Sequence, residues 1–139
     1  MGYGELLHKS EQRTISPAIC VYIDANGLHE PNNERGHEAG DLMLRFVAES
    51  LMEQFPKGSL CRVGGDEFVV FPAPAEGQTC EDRMRSASAS ITAQGCSISY
   101  GIAAHESVVG LRELVREADE KMLESKHAYY AEHDRRVRK

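Results

Sequence analysis

No stretch of this 139-residue chain is long and apolar enough to span a bilayer. The longest apolar run, Pro17 to Ile23, falls far short of the ~20 residues a membrane helix needs. The opening Met1-Gly2-Tyr3-Gly4-Glu5 carries no basic segment leading into an apolar one, so no secretory signal is read there. A cationic surface is also lacking. Sixteen Lys and Arg stand against 22 Asp and Glu, a formal net charge of −6. That balance argues against a general nucleic-acid binder, which needs positive charge to meet a phosphate backbone. It leaves room for a single nucleotide held through metal ions, because bound cations then supply the positive charge. The four cysteines, Cys20, Cys61, Cys80 and Cys96, show no paired zinc-site spacing. Three fall in strand-like runs, where a free thiol is a small buried hydrophobe, and a reducing cytoplasm is the expected location. No internal repeat and no internal linker interrupt the chain, which at this length fits one domain with a single core.

What is present reads as an alternation of elements. Ala18 to Asp24 is apolar and partly β-branched, a buried strand ending in a carboxylate. A polar stretch through Asn26-Gly27 and Pro31-Asn32-Asn33 interrupts it. From about Gly36, the residues Ala39, Leu42, Met43, Phe46, Val47, Leu51 and Phe55 recur at helical steps, and Pro56-Lys57-Gly58 stops the helix. Two short apolar runs, Leu60 to Val63 and Phe68 to Phe71, flank Gly64-Gly65-Asp66-Glu67. That is a hairpin pattern, with glycines able to take the positive φ of a tight turn. Thr79 to Ala93 reads as a surface helix, Cys96 to Ala104 as a strand, and Val108 to about Ala131 as a second amphipathic helix. The basic tail, His133 to Lys139, reads as frayed or solvated. The order suits an antiparallel sheet with helices on one face.

The carboxylates carry the chemistry. In a ferredoxin-like sheet, the strand ending in Asp24 and the hairpin carrying Asp66 and Glu67 can be neighbours. Two carboxylates held close repel each other, and a hard divalent cation such as Mg2+ relieves that repulsion. Taken singly, Asp24 can equally cap a turn, and Gly64 to Glu67 can be no more than a loop. Gly64-Gly65 removes side chains beside a ligand and lets a phosphate chain approach the backbone. Asp41, in the opening turns of the long helix, either caps it or, with Asn32, reads a base edge. A carboxylate suits the ring and amino donors of guanine. Lys126, about 40° around its helix from Met122, either snorkels to water or directs an ammonium at a phosphate.

Five segments in order resemble the GGDEF family of diguanylate cyclases over nearly the whole chain. They are Arg62-Val63-Gly64-Gly65-Asp66-Glu67-Phe68, Asp24-Ala25-Asn26-Gly27-Leu28, Asn32 followed by Gly36-His37 and Gly40-Asp41, Ser99 to Ala103, and Ala118-Asp119 leading to Lys126. The resemblance implies an α+β fold, the nucleotide-cyclase version of a ferredoxin-like, mainly antiparallel sheet, spanning residues 1–139 as one domain. It implies that two GTP condense to cyclic di-GMP with loss of two pyrophosphates, in a homodimer. Asp24, the Ala25 carbonyl, Asp66 and Glu67 would hold Mg2+, with Mn2+ as the alternative. Either Asp66 or Glu67 would be the base. Asn32 and Asp41 would bind guanine. Gly27, Leu28 and His29, with Gly64 and Gly65, would line the phosphates, and Lys126 would stabilise their charge.

Some positions depart from the family pattern. His29 stands where a phosphate-contacting lysine is usual, and an imidazole is largely neutral at pH 7. After Lys126 the chain reads His127-Ala128-Tyr129-Tyr130 in place of a glycine and an arginine, and a tyrosine cannot clamp a phosphate as a guanidinium does. Arg135 or Arg136 is the available substitute. Asn33 replaces an aspartate. Phe55 and Gly58 occupy the places of the product-inhibition arginine and aspartate, so feedback inhibition through that site is not expected. The segment preceding Tyr3 lacks the family's usual opening, which implies a domain cut from a longer protein with an N-terminal sensor domain. No nucleic-acid partner and no membrane contact by this domain are expected. The alternative activity is a weakened GTP-binding module that regulates an attached domain.

Overall fold

The computed structural model describes residues 2–26 and 36–137, with side chains described for 2–26 and 38–132. The elements run α1 (Tyr3–Ser10), β1 (Thr14–Ile15), β2 (Ala18–Asn26), α2 (Gly36–Gln54), β3 (Ser59–Arg62), β4 (Glu67–Phe71), α3 (Pro74–Gly77), α4 (Cys80–Ala93), β5 (Ser97–His105), β6 (Val108–Val109) and α5 (Arg112–Val137). Four strands form an antiparallel sheet in the order β3-β4-β2-β5, and β1 pairs with β6 in a separate two-stranded ribbon.

The central strand explains the layering. β2 is apolar almost without interruption, so both its faces need cover. Val21, Ile23 and Ala25 point to one side, where they join Leu44, Val47 and Leu51 of α2 and Met84, Ala87 and Ile91 of α4. Ala18 and Cys20 point to the other, against Leu7 of α1, against Leu111, and against Leu114, Val115 and Ala118 of α5. Helices therefore cover both faces of the sheet, not one as the element order suggested.

Three further expectations need correction. The stretch around Thr79 to Ala93 is not a plain surface helix, because Cys80, Met84, Ala87 and Ile91 are buried. Val108 and Val109 are not helical, since they pair with Ile15 and Thr14, and the last helix starts at Arg112. Leu42, placed by its spacing on the apolar face of α2, is 63% exposed. The thiols are all free, with Cys20 and Cys80 buried, and burial pushes the Cys80 thiol up to about 11. Among the described residues no helix is long and apolar enough to cross a membrane.

Side-chain bonds to the backbone tie the ends of the elements together. The Ser10 hydroxyl donates to the Leu7 carbonyl at 2.7 Å and accepts from the Leu111 amide at 3.1 Å, joining the end of α1 to the start of α5. Arg112 reinforces that joint with two bonds to Glu11, at 2.9 and 3.1 Å. Buried Glu76 accepts from the Lys57 and Ala73 amides at 2.9 and 2.8 Å and so fixes the loops on either side of the hairpin.

Gly101 of β5 lies close against the backbone of α5. A Cβ there would lie 2.4 Å from both the Ala118 carbonyl oxygen and the Met122 amide nitrogen of α5. Even one methyl group must push the helix away. Gly101→Ala is therefore expected to lower unfolding free energy by roughly 1–3 kcal/mol, seen in chemical denaturation as a lower midpoint at unchanged slope.

Candidate active site

Strand parity sets the site. Residues two apart on a strand share a face, so Tyr22, Asp24 and Asn26 follow Cys20 toward α5. On β4 the matching residues are Glu67, Val69 and Phe71. The β2–β4 register places Asp24 directly opposite Glu67, and the β2–β5 register places it opposite Ser99. Opposed side chains on adjacent strands sit about 5 Å apart at Cβ, and like charges there repel. The tip of the hairpin is anchored to the same point, because the Ala25 amide donates to the Asp66 carbonyl at 3.0 Å.

Asp24 is 2% exposed. One carboxylate oxygen accepts from Lys126 Nζ at 2.5 Å, and the other, Oδ1, has no hydrogen-bond partner among the described residues. Burial raises its carboxyl above the ordinary range, the Lys126 hydrogen bond opposes that, and the negative charge of Asp66 adds to it. Lys126 is itself held above its usual value by the bond to Asp24. Glu67 is also raised, by burial first, with the hydrogen bond from Tyr22 opposing and Asp24, Asp119 and Asp66 adding repulsion. The Tyr22 hydroxyl donates to Glu67 Oε1 at 3.1 Å, and burial beside that carboxylate pushes the phenol up, keeping it a donor.

The glycine turn works through space rather than through positive φ. Among the described residues, only Gly95 and Gly110 have positive φ. A Cβ on Gly64 would come within 3.0 Å of Glu67 Oε1, whereas one on Gly65 would meet nothing within 4 Å. Arg62 braces the turn by donating to the carbonyls of Gly64 and Gly65.

On the opposite face of the sheet an open cleft of about 430 Å³ lies between α2 and the hairpin. Asp41, Leu44, Arg45, Ala48, Arg62 and Phe68 line it. Glu67 and Phe68 are consecutive and so point to opposite faces. The start of β4 therefore serves both the carboxylate pair and the floor of this cleft.

Of the site residues expected from sequence, Asp24, Ala25, Asp66, Glu67 and Lys126 gather at the ends of β2 and β4, with Gly64 and Gly65 in the turn beside them. Asp41 stands apart from them in the cleft. Gly27, Leu28, His29 and Asn32 lie outside the described residues, as does Asn33. No group of three or more acidic, histidine or cysteine side chains forms a metal cage among the described residues. The donors here are a carboxylate pair, and the buried, unpartnered Asp24 Oδ1 fits a hard cation whose other positions go to water and phosphate oxygens.

Sequence reasoning missed Tyr22 and Asn26. The Asn26 side chain is buried, donates to Ser97 Oγ at 3.1 Å and accepts from Ser99 Oγ at 3.0 Å, which fixes its amide beside Asp24. Both residues lie two positions from Asp24, so the period of the strand was the available signal. Asp119 of α5 stands in a segment that resembles the family, and its charge acts on Asp24, Glu67 and Tyr22. Arg45 follows Asp41 by one helical turn and was not singled out.

An antiparallel sheet with helices on both faces and a glycine hairpin beside a carboxylate pair defines a protein of the nucleotide-cyclase-like α+β class. The family model for the diguanylate cyclase GGDEF domain matches residues 4–131, and the chain belongs to the GGDEF family. An uncharacterised protein of Mycobacterium tuberculosis is 30% identical over 140 residues, covering 88% of this chain and 22% of that protein. The diguanylate cyclase TpbB of Pseudomonas aeruginosa is 40% identical over 55 residues, 39% of this chain and 13% of TpbB. The solved GGDEF domain of TpbB from that species superposes with a TM-score of 0.71 at 28% identity, covering 89% of this chain and 78% of that one. The chain thus spans about a fifth of the length of the mycobacterial relative.

The raised carboxyls have a consequence for stability. A carboxyl raised by folding favours the folded state when protonated, so its contribution is fullest below the ordinary value of 4.5 and is lost as pH rises through the folded value. Glu67→Gln keeps an acceptor for Tyr22 and removes the charge. In EDTA it is expected to melt at a higher temperature than the parent at pH 7 to 8, with the advantage vanishing at pH 4 and below. A pH-independent difference in melting temperature would contradict the assignment.

Proposed function

We propose that this domain is a diguanylate cyclase, condensing two GTP into cyclic di-GMP. The observation that carries the reading is the paired Asp24 and Glu67 with the Asp66 turn pinned beside them, and one buried Asp24 oxygen without a partner among the described residues. Asp24, the Ala25 carbonyl, Asp66 and Glu67 would hold Mg2+ or Mn2+. When bound, the metal would supply positive charge to the triphosphate.

The chain's own groups divide the remaining work. Asp41 accepts from the guanine edge, together with Asn32, while Gly27, Leu28 and His29 meet the phosphates and Gly64 and Gly65 leave them room. Lys126, released from Asp24, gives its ammonium to the phosphates. Tyr22 occupies Oε1 of Glu67 and so fixes how that carboxylate presents its other oxygen. The 3′-oxygen of one GTP bonds to the α-phosphorus of the other, the bond to the bridging oxygen breaks, and pyrophosphate leaves. The proton of the 3′-hydroxyl passes to Asp66 or Glu67. A second, reciprocal attack closes the ring. This requires two domains face to face, so the active species is a homodimer, brought together by an N-terminal sensor domain, in the cytoplasm.

A second reading is favoured by Tyr130. It lies one turn beyond Lys126 and stacks edge-on with Tyr129, ring centroids 5.1 Å apart, in the place of a phosphate-clamping arginine. A domain short of cationic groups there would bind GTP and regulate an attached domain without turnover.

The two readings separate in one assay. The chain is fused to an N-terminal dimeric coiled coil, supplied with GTP and Mg2+, and its nucleotides are resolved by chromatography. Cyclic di-GMP is expected, falling at least about a hundredfold in Asp66→Ala. GTP retained without product would favour the regulatory module, with His29→Lys as the variant expected to restore turnover.

A further inference from the structure

The cleft between α2 and the hairpin holds a second polar reader besides Asp41. Arg45 follows Asp41 by four residues, so the two side chains rise from the same face of α2, one turn apart. Both line the cleft, whose floor is the buried Leu44 and Phe68. The other guanidinium in the lining, Arg62, is committed to the turn carbonyls of Gly64 and Gly65. Arg45 is exposed and forms no ion pair with any described residue, neither with Asp41 before it nor with Glu49 after it. An apolar floor with one acceptor and one uncommitted planar donor on its rim is a shape for a flat heterocycle offering donors on one side and acceptors on the next.

Guanine has that pattern. Its N1–H and 2-amino group donate, and its O6 and N7 accept along the adjoining edge. An arginine reaching O6 and N7 with two parallel N–H groups is the commonest specific contact that proteins make to guanine in the major groove of DNA, and the same edge is open on a free nucleotide. We propose that Arg45 is a specificity-determining residue that reads O6 and N7 of the guanine whose N1–H and 2-amino group are read by Asp41. Adenine would set an amino donor where Arg45 also donates, and a ring nitrogen acceptor where Asp41 also accepts, so the pair rejects it twice. The inference rests on the guanine-nucleotide reading of this site and assigns a residue within it.

The test compares GDP with 7-deaza-GDP, which lacks only the N7 acceptor, and with IDP, which lacks only the 2-amino group. GDP has no pyrophosphate to lose from its α-phosphate, so binding is read without condensation. Affinities are measured by calorimetry with Mg2+, alongside GTP, on the parent chain and on Arg45→Ala and Arg45→Lys. The parent is expected to bind 7-deaza-GDP about tenfold more weakly than GDP, the size of a lost base contact. In Arg45→Ala that preference should shrink to within about twofold, while the preference for GDP over IDP is unchanged. Arg45→Lys, which keeps the charge on a well-folded surface position, should retain only part of it. If the parent binds GDP but not preferentially over 7-deaza-GDP, or if the preference survives in Arg45→Ala, the assignment is overturned while the guanine-nucleotide reading stands. If the parent binds neither GDP nor GTP, both are overturned.

Discussion

A carboxylate enclosed at the end of a sheet strand costs several kcal/mol unless it is paired, and among the described residues only one oxygen of Asp24 has a partner. Its partner, Lys126, comes from the last helix, so the charge at the end of β2 also fixes where α5 lies along the sheet. Gly101 makes the same demand from the neighbouring strand, since only a missing side chain admits α5 at that distance. Across the other edge, the antiparallel register sets Glu67 against Asp24 and ties the Asp66 carbonyl to the Ala25 amide. Each of these contacts would be lost by a one-residue slip, which turns every side chain of a strand to the other face. The sheet register and the site are therefore one constraint.

The hairpin links the two halves of the site. Because β4 begins at the turn, its first residue faces the carboxylate pair and its second floors the cleft under α2. Arg62 holds the turn carbonyls, Tyr22 holds the Glu67 carboxylate, and Gly64 leaves space for it. Raised carboxyls at this point mean that the fold gives up stability where it gathers charge, a common trade between stability and activity. Divalent cation and triphosphate would together relieve what Lys126 relieves now.

The long periodic elements were legible in the sequence. The buried strand ending at Asp24, the helix from Gly36, the glycine hairpin and the last helix all appear where their spacing puts them, within a few residues. So did the association of Asp24 with the hairpin. What escaped was set by tertiary packing. α1 has eight residues, too few to be stable alone, and exists because Leu7 and Ser10 bury against α5. The buried face of α4 includes the small Cys80 and Ala87, which look unremarkable in a polar run. Helices on both faces were foreshadowed by the unbroken apolar run of β2, which has no polar alternation to leave a face in water. Tyr22 and Arg45 belong to no motif, and Asn26 enters one only as a neighbour of Asp24. Only their phase, two residues from Asp24 or four from Asp41, brings them into the site.

The account stands on the claim that Asp24 and Glu67 form one metal-nucleotide site. Its most direct test is Mn2+ binding followed by electron paramagnetic resonance, with GDP present, in the parent chain, Asp24→Asn, Glu67→Gln and the exposed control Glu49→Gln. The account predicts nucleotide-dependent loss of the free Mn2+ signal in the parent and the control, and at least about tenfold weaker uptake when either site carboxylate is neutralised. Equal uptake by all four proteins, or uptake lost with only one of the two site variants, would contradict it.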